Sequence, residues 1–147
     1  MIIRKANSCD INDIVVVESD WKDEYPCWGR DGFLKEFEKK NSITFVAEIS
    51  NKIVGFVNIW IADVIEINSL VVSKSHLRQG IATQLLGRII DEALSRGIER
   101  IVLEVRKNNI PALNLYVKNG FNVYNIRKKY YDFKYDAIMM ERIIRRG

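Results

Sequence analysis

The chain has 147 residues, 48% of them apolar and 29% charged, with a net charge of +4, the make-up of an ordinary globular protein of one domain, residues 1–147. No apolar run approaches the ~18 residues of a membrane helix, and the opening MIIRKANSCD has no apolar core of signal-peptide length. The single histidine, His76, excludes a histidine-based triad or a multi-histidine metal site and reads as a solvated loop residue, and Cys9 and Cys27 have no metal-ligand spacing, so a cytoplasmic, metal-free protein is expected.

In chain order, MIIRKA reads as a short strand. NSCDINDIVVVES follows as a helix, with Asp10 as its N-cap and Ile11, Ile14, Val15 and Glu18 at helical spacing. EYPCWGRDGF is a break rich in turn formers and aromatics, and DGFLKEFEKK is a second short helix with Phe33, Leu34 and Phe37 on one face. SITFVAEI and IVGFVNIWI, joined by the turn SNK, form a hairpin of β-branched and aromatic residues, and VIEINSLVV is a third long strand. A helix then runs from Gly80 to Ser95, its apolar stripe carried by Ile81, Leu85, Leu86, Ile89, Ile90, Ala93 and Leu94, and Gly97 stops it. RIVLEV is the next strand. NNIPALNLYVKNG is a helix capped by Asn109, opened by Pro111 and ended by Gly120. FNVYNI and YDAIMMERII are the last two strands, joined by the loop RKKYYDFK. Strand, helix and strand from Val64 to Val105 make a βαβ unit with parallel strands and a right-handed crossover. The expected fold is α/β (α+β): a mixed sheet of about six to seven strands with helices on both faces.

The segment SHLRQGIATQLL places Gly80 and Ala82 where a helix begins. The first amides of a helix have no partners within it, and the helix dipole adds partial positive charge there. A strand, a tight loop and a helix N-terminus therefore make an anion site, and small residues admit a phosphate to the amides. Simple turn geometry is the other reading of Gly80. Neither GxxxxGK[ST] nor GxGxxG is present, which speaks against a P-loop NTPase and a Rossmann dinucleotide site.

LVVSKSHLRQGIATQLL resembles the acetyl-CoA-binding segment of the GNAT acetyltransferases. The family pattern Gln/Arg-x-x-Gly-x-Gly/Ala falls on Leu77-Arg78-Gln79-Gly80-Ile81-Ala82, with Leu77 standing where Gln or Arg is usual. The resemblance continues through LEVR, the N-x-x-A-x-x-L-Y helix, the GF after it, the YY pair and the DAIMM end. These features are similar to the RimI-type alanine N-acetyltransferases of ribosomal proteins and to archaeal N-terminal acetyltransferase subunits. The first half fits more loosely, mainly through YPCW. The resemblance implies the GNAT fold, with splayed parallel strands binding acetyl-CoA.

It also assigns residues. Gln79 to Ala82, with Arg78 and Thr83, would cradle the pyrophosphate through backbone amides. Strand SLVV would offer the backbone of Leu70, Val71 and Val72 to pantetheine, with the amides of Leu70 and Val72 binding the coenzyme or polarising the acetyl carbonyl. Asn109 would touch the pantetheine arm while capping its helix. Glu104 matches the family's general base; on residue chemistry alone it reads first as a salt-bridge partner of a Lys or Arg. Tyr116 matches the tyrosine that faces the coenzyme sulfur; otherwise it is a core aromatic. Tyr130 and Tyr131 would grip the backbone of a substrate peptide, with Tyr25 and Trp28 as the opposite wall. The implied reaction moves acetyl from acetyl-CoA to the N-terminal α-amine of a protein, a ribosomal protein with N-terminal Ala in the RimI manner. No nucleic acid or membrane contact is required, and a monomer or weak dimer is expected. The alternatives are a GNAT acting on a small amine or a lysine side chain, and a non-catalytic acyl-CoA-binding module.

Overall fold

A computed structural model of the chain describes residues 1–131 and 134–144, and the backbone alone at Tyr130 and Tyr131. Seven strands, β1 (Ile2–Lys5), β2 (Ser42–Ile49), β3 (Lys52–Ile61), β4 (Ile65–Val72), β5 (Arg100–Arg106), β6 (Asn122–Tyr131) and β7 (Tyr135–Ile143), form one sheet in the order β1-β2-β3-β4-β5-β7-β6. Neighbours are antiparallel except β4 and β5, which run parallel as a βαβ unit requires.

Four helices cover the sheet: α1 (Ile11–Ser19), α2 (Gly29–Phe37), α3 (Ile81–Arg96) and α4 (Ile110–Lys118). Helices α3 and α4 lie on one face, where Ile81, Leu85, Leu86, Ile89, Ala93 and Tyr116 share a core with Phe45, Val57, Ile67, Leu103 and Val105. Helices α1 and α2 lie on the other, where Ile11, Ile14, Val17 and Phe33 meet Val46, Ile53 and Phe56. The alternation of Phe45, Val46 and Ala47 between the two cores is the period-2 pattern of a strand covered on both sides. Among the described residues no helix is long and apolar enough to cross a membrane.

Three details depart from the sequence reading. Asp10 does not cap α1 with its side chain; a short 3-10 turn, Ser8–Asp10, precedes the helix, and Asn7 caps that turn. The Asp10 carboxylate bonds the Asn7 amide and takes both terminal nitrogens of Arg4, because a charge-assisted pair is stronger than a neutral cap. Strand β6 continues through the expected loop as far as Tyr131, which pairs with Tyr135 after an irregularity between Arg127 and Tyr131. Tyr130 and Tyr131 thus belong to a strand backbone, and their side chains lie outside the described residues. Gly80 is not the first residue of α3 but its N-cap, in the left-handed region at φ +78.

The parallel pair is short. Only Ile65, Glu66 and Ile67 pair with Ile101, Val102 and Leu103. Beyond them β4 and β5 part company. The cause is local: Asn58 pairs with Ser69 but Ile59 with Ile67, leaving Asn68 as an extra residue on β4. Such a bulge bends its strand. Asn68 Nδ2 donates to Asn58 Oδ1, and fully buried Asn58 donates to Ser42 and Thr44, which fixes the bulge from beneath.

Candidate active site

The gap between β4 and β5 organises everything chemical in the molecule. Ser73 N donates to Val54 O, so Ser73 and Val54 are a hydrogen-bonded pair of the β3–β4 ladder. Antiparallel ladders alternate. Val71 therefore bonds β3, and the amides and carbonyls of Leu70 and Val72 point away from β3 into the gap. The outward carbonyl of Val72 proves the direction: it accepts Trp21 Nε1 at 2.9 Å. Leu70 and Val72 are placed to offer backbone to a ligand, whereas the polar groups of Val71 are spent within the sheet. The side chains of Leu70 and Val72 pack into the α3–α4 core.

Helix α3 starts beside this gap because of Gly55. A Cβ there would stand 3.1 Å from Val71 O, 3.3 Å from Ile81 Cγ2 and 3.4 Å from Leu85 Cδ1, so α3 seats against β3 only over a bare backbone. Arg78 and Gly80 both have positive φ, at 63° and 78°, which curls the loop before the helix. The first bond back into the helix is Gln84 N to Gly80 O, so the amides of Ile81, Ala82 and Thr83 stay available to a ligand. Nothing lies within 4 Å of a Cβ built at Gly80, so the approach to those amides is open. The side chain of Ile81 is buried, so it contributes its amide alone. Exposed Leu77 leaves the cradle to backbone groups. An elongated anion with a polar, extended arm fits this arrangement: amides at the helix start for its phosphates, outward strand amides for its arm.

Glu104 and Tyr116 approach the gap from opposite faces. Leu103 and Val105 point into the α3–α4 core, so Glu104 and Arg106 between and beyond them point to the α1–α2 side. Glu104 Oε1 lies 3.4 Å from Arg127 on β6, so the carboxylate is ion-paired as well as exposed to the gap. Tyr116 is 8% exposed and its ring meets Phe121 edge-on at 5.5 Å. Burial pushes its phenol well above the usual range, so it holds its proton at neutral pH. No described group bonds its hydroxyl, and no described buried polar side-chain atom lacks a partner, so the hydroxyl reaches an accessible surface. Asn109 caps α4 as expected, accepting Ala112 N at 3.3 Å.

The segment after α1 closes the far end of the gap. Asp20 accepts Ser73 Oγ and Lys74 N, Trp21 donates to Val72 O, and Glu24 pairs with Lys74 Nζ at 2.8 Å. From β5, Arg106 donates to Glu24 O at 2.8 Å and lies over the rings of Tyr25 at 5.1 Å and Tyr135 at 5.5 Å. One guanidinium thus joins β5, the α1–α2 connection and the start of β7. Tyr25 is brought to the site. Trp28 is not seen beside it: its ring stacks on Phe33 at 5.2 Å and its amide donates to Glu18. Trp21, Arg106 and Tyr135 were not singled out by the sequence; the Arg of LEVR was the one available signal. Cys9 and Cys27 are free and exposed, as an unpaired pair should be.

A family model described as the Acetyltransferase (GNAT) family matches residues 14–121. The chain belongs to this family. It is 41% identical over 75 residues to the ribosomal protein bS18-alanine N-acetyltransferase of Escherichia coli (strain K12), covering 49% of this chain and 51% of that protein, so the match spans about half the length of that relative. It is 30% identical over 154 residues to an N-alpha-acetyltransferase of Sulfurisphaera tokodaii, covering 94% of this chain and 90% of that protein. The solved structure of the Escherichia coli ribosomal-protein-S18-alanine N-acetyltransferase superposes with a TM-score of 0.89 at 28% identity, covering 99% of this chain and 95% of that one.

Proposed function

We propose that the protein acetylates the N-terminal α-amine of a protein with acetyl-CoA, and that the acceptor is a ribosomal protein beginning with Ala. The observation that carries the reading is the parted β4–β5 pair, with outward amides of Leu70 and Val72 on one side and a carboxylate, Glu104, on the other. The name of the Escherichia coli relative supports the ribosomal acceptor, and that of the Sulfurisphaera relative supports the α-amine.

Acetyl-CoA, when bound, supplies an acetyl group activated as a thioester. The amides of Gln79 to Thr83, with Arg78 beside them, would hold its phosphates, and Leu70, Val72 and Asn109 its pantetheine arm. A peptide α-amine has a pKa of ~7.7–8.0, so near neutrality it must lose a proton before it can attack. Glu104, on the face reached from the α1–α2 side, takes that proton directly or through water. The amide of Leu70 or Val72 donates to the acetyl carbonyl oxygen as charge develops there. As the C–N bond forms and the C–S bond breaks, Tyr116 Oη would give its proton to the departing sulfur, and the surplus proton on the new amide nitrogen would pass through water to the tyrosinate. Base and acid stand on opposite faces of the sheet, so acceptor and donor enter from opposite sides and meet where the strands part. Tyr25, together with the Tyr130–Tyr131 segment, would line the acceptor's path.

The test is acetyl-CoA turnover against peptides differing in their first residue, each with an α-blocked twin. Turnover of free peptides beginning with Ala, and none of the blocked twins, is expected. Turnover of small amines alone would overturn the reading in favour of a small-molecule acetyltransferase.

A further inference from the structure

The polar chain beneath the bulge runs in one direction. Glu36 on α2 is 5% exposed and accepts from Ser42 Oγ, Trp60 Nε1 and Lys39 Nζ. Burial disfavours its charge, yet these donors hold it below the ordinary carboxylate range, so it serves only as an acceptor. Ser42 has one hydroxyl proton and gives it to Glu36 at 2.6 Å, so it must accept from Asn58 Nδ2 at 2.9 Å. That fixes the Asn58 amide with Oδ1 towards the bulge. An amide oxygen cannot donate, so Asn68 meets it with Nδ2, at 3.2 Å. A buried carboxylate thus sets, through two side chains, which way the Asn68 amide is turned. Its oxygen is left over. No described group bonds Asn68 Oδ1, and no described buried polar side-chain atom lacks a partner, so this oxygen is open to solvent.

Asn68 follows Ile67, the last residue of β4 to pair with β5, just as Glu104 follows Leu103. Its side chain reaches Asn58, which shares a face of β3 with Phe56, and that is the α1–α2 face on which Glu104 also rises. Glu66, two residues back, stands where the strands are still paired. Asn68 and Glu104 are therefore the first side chains on either side of the parting. Paired strands lie about 4.8 Å apart, and one nitrogen bonded at about 2.9 Å to two oxygens spans up to about 6 Å, so strands that have just parted suit a single nitrogen between them. Resting on the α-amine reading, we infer that Asn68 binds the acceptor's amine, its Oδ1 accepting one N–H while Glu104 takes a proton from the same nitrogen. The N–H bond to Glu104 breaks, an O–H bond forms on the carboxylate, and the lone pair left on nitrogen is turned towards the acetyl carbon. Asn58, Ser42 and Glu36 are positioning residues: a flipped Asn68 would present N–H groups to the amine, donor against donor.

The experiment measures kcat/KM for a peptide beginning with Ala and, by calorimetry, the Kd for coenzyme A. Asn68→Ala should lower kcat/KM for the peptide roughly three- to tenfold, the contribution of one hydrogen bond, with the Kd for coenzyme A unchanged. Ser42→Ala lies on β2, away from the gap, and frees the chain of amides to flip; it should lower kcat/KM by a smaller factor, roughly two- to fivefold, and Ser42→Thr, which keeps the hydroxyl, should restore it. Because the effect of Ser42 passes through Asn68, Ser42→Ala should cost nothing further in an Asn68→Ala background. Unchanged kcat/KM in Asn68→Ala overturns the inference. So does a Kd for coenzyme A that weakens in step with kcat/KM, or a double variant in which the two factors multiply; either would leave Asn68 a peg of the bulge and the α-amine reading standing. No turnover of any free-amine peptide by the parent overturns both.

Discussion

Glu104 and Tyr116 can be separated by what each would cost if it were only structural. Glu104 makes a partly exposed ion pair with Arg127, of a kind worth about 0–1 kcal/mol. Glu104→Gln should therefore leave thermal stability nearly unchanged while lowering kcat by about 10²–10⁴-fold, the range of a lost general base. Unchanged kcat in a steady-state assay would return Glu104 to the role of a salt-bridge partner. The hydroxyl of Tyr116 bonds no described group, so Tyr116→Phe removes no hydrogen bond. Its melting temperature should match the parent's, while kcat falls roughly 10–10³-fold and KM for acetyl-CoA holds. At this scale the resemblance to the family marked Glu104 and Tyr116 as candidates, while the helix-capping place of Asn109 and the helix-start place of Gly80 were legible from the residues themselves. Trp21 and Arg106 were not, because their roles come from contacts 51 and 82 residues away along the chain.

Two elements position the proposed coenzyme cradle, and each depends on a glycine for a different reason. Gly55 gives α3 room to sit on β3. Gly55→Ala should destabilise the fold by about 1–3 kcal/mol through overpacking against Val71 O and raise KM for acetyl-CoA, since the start of α3 must shift. Gly80 has open space about it but a positive φ. Gly80→Val should cost about 1–2 kcal/mol as backbone strain and weaken coenzyme binding; calorimetry with coenzyme A would read both. Strands and helices were legible from period and punctuation nearly throughout. The exceptions have local causes. The bulge at Asn68 depends on a polar network reaching β2, and β6 outran its expected end because Asp136 on the facing strand holds Lys129. Neither is encoded in the segment it affects. Of the basic residues near the C-terminus, Arg142 lies over Gly120 and donates to Asn119 O, closing α4, and Arg145 and Arg146 lie outside the described residues.

As a whole the molecule is two apolar layers on a sheet that opens at one end, and the opening is where its two faces communicate. The edge opposite the last strands is fastened by charge. Arg4 holds the Asp10 carboxyl below the usual carboxylate range and also bonds Glu48. A carboxyl depressed by folding stabilises fully above its unfolded value of ~3.9 and loses that contribution as pH falls through its folded value. Thermal melts should therefore be flat from neutral pH to about 5 and drop below about 4; Asp10→Asn should melt lower at neutral pH and converge with the parent in acid. Stability belongs to that edge, chemistry to the opening. The central claim, that the opening serves a protein α-amine, is tested most directly by one product analysis. A peptide beginning with Ala and carrying an internal lysine is incubated with enzyme and acetyl-CoA, and the acetylated position is located by fragmentation mass spectrometry. The account predicts a single acetyl group on the N-terminal nitrogen; acetyl on the lysine, or on neither amine while a small amine is consumed, would contradict it.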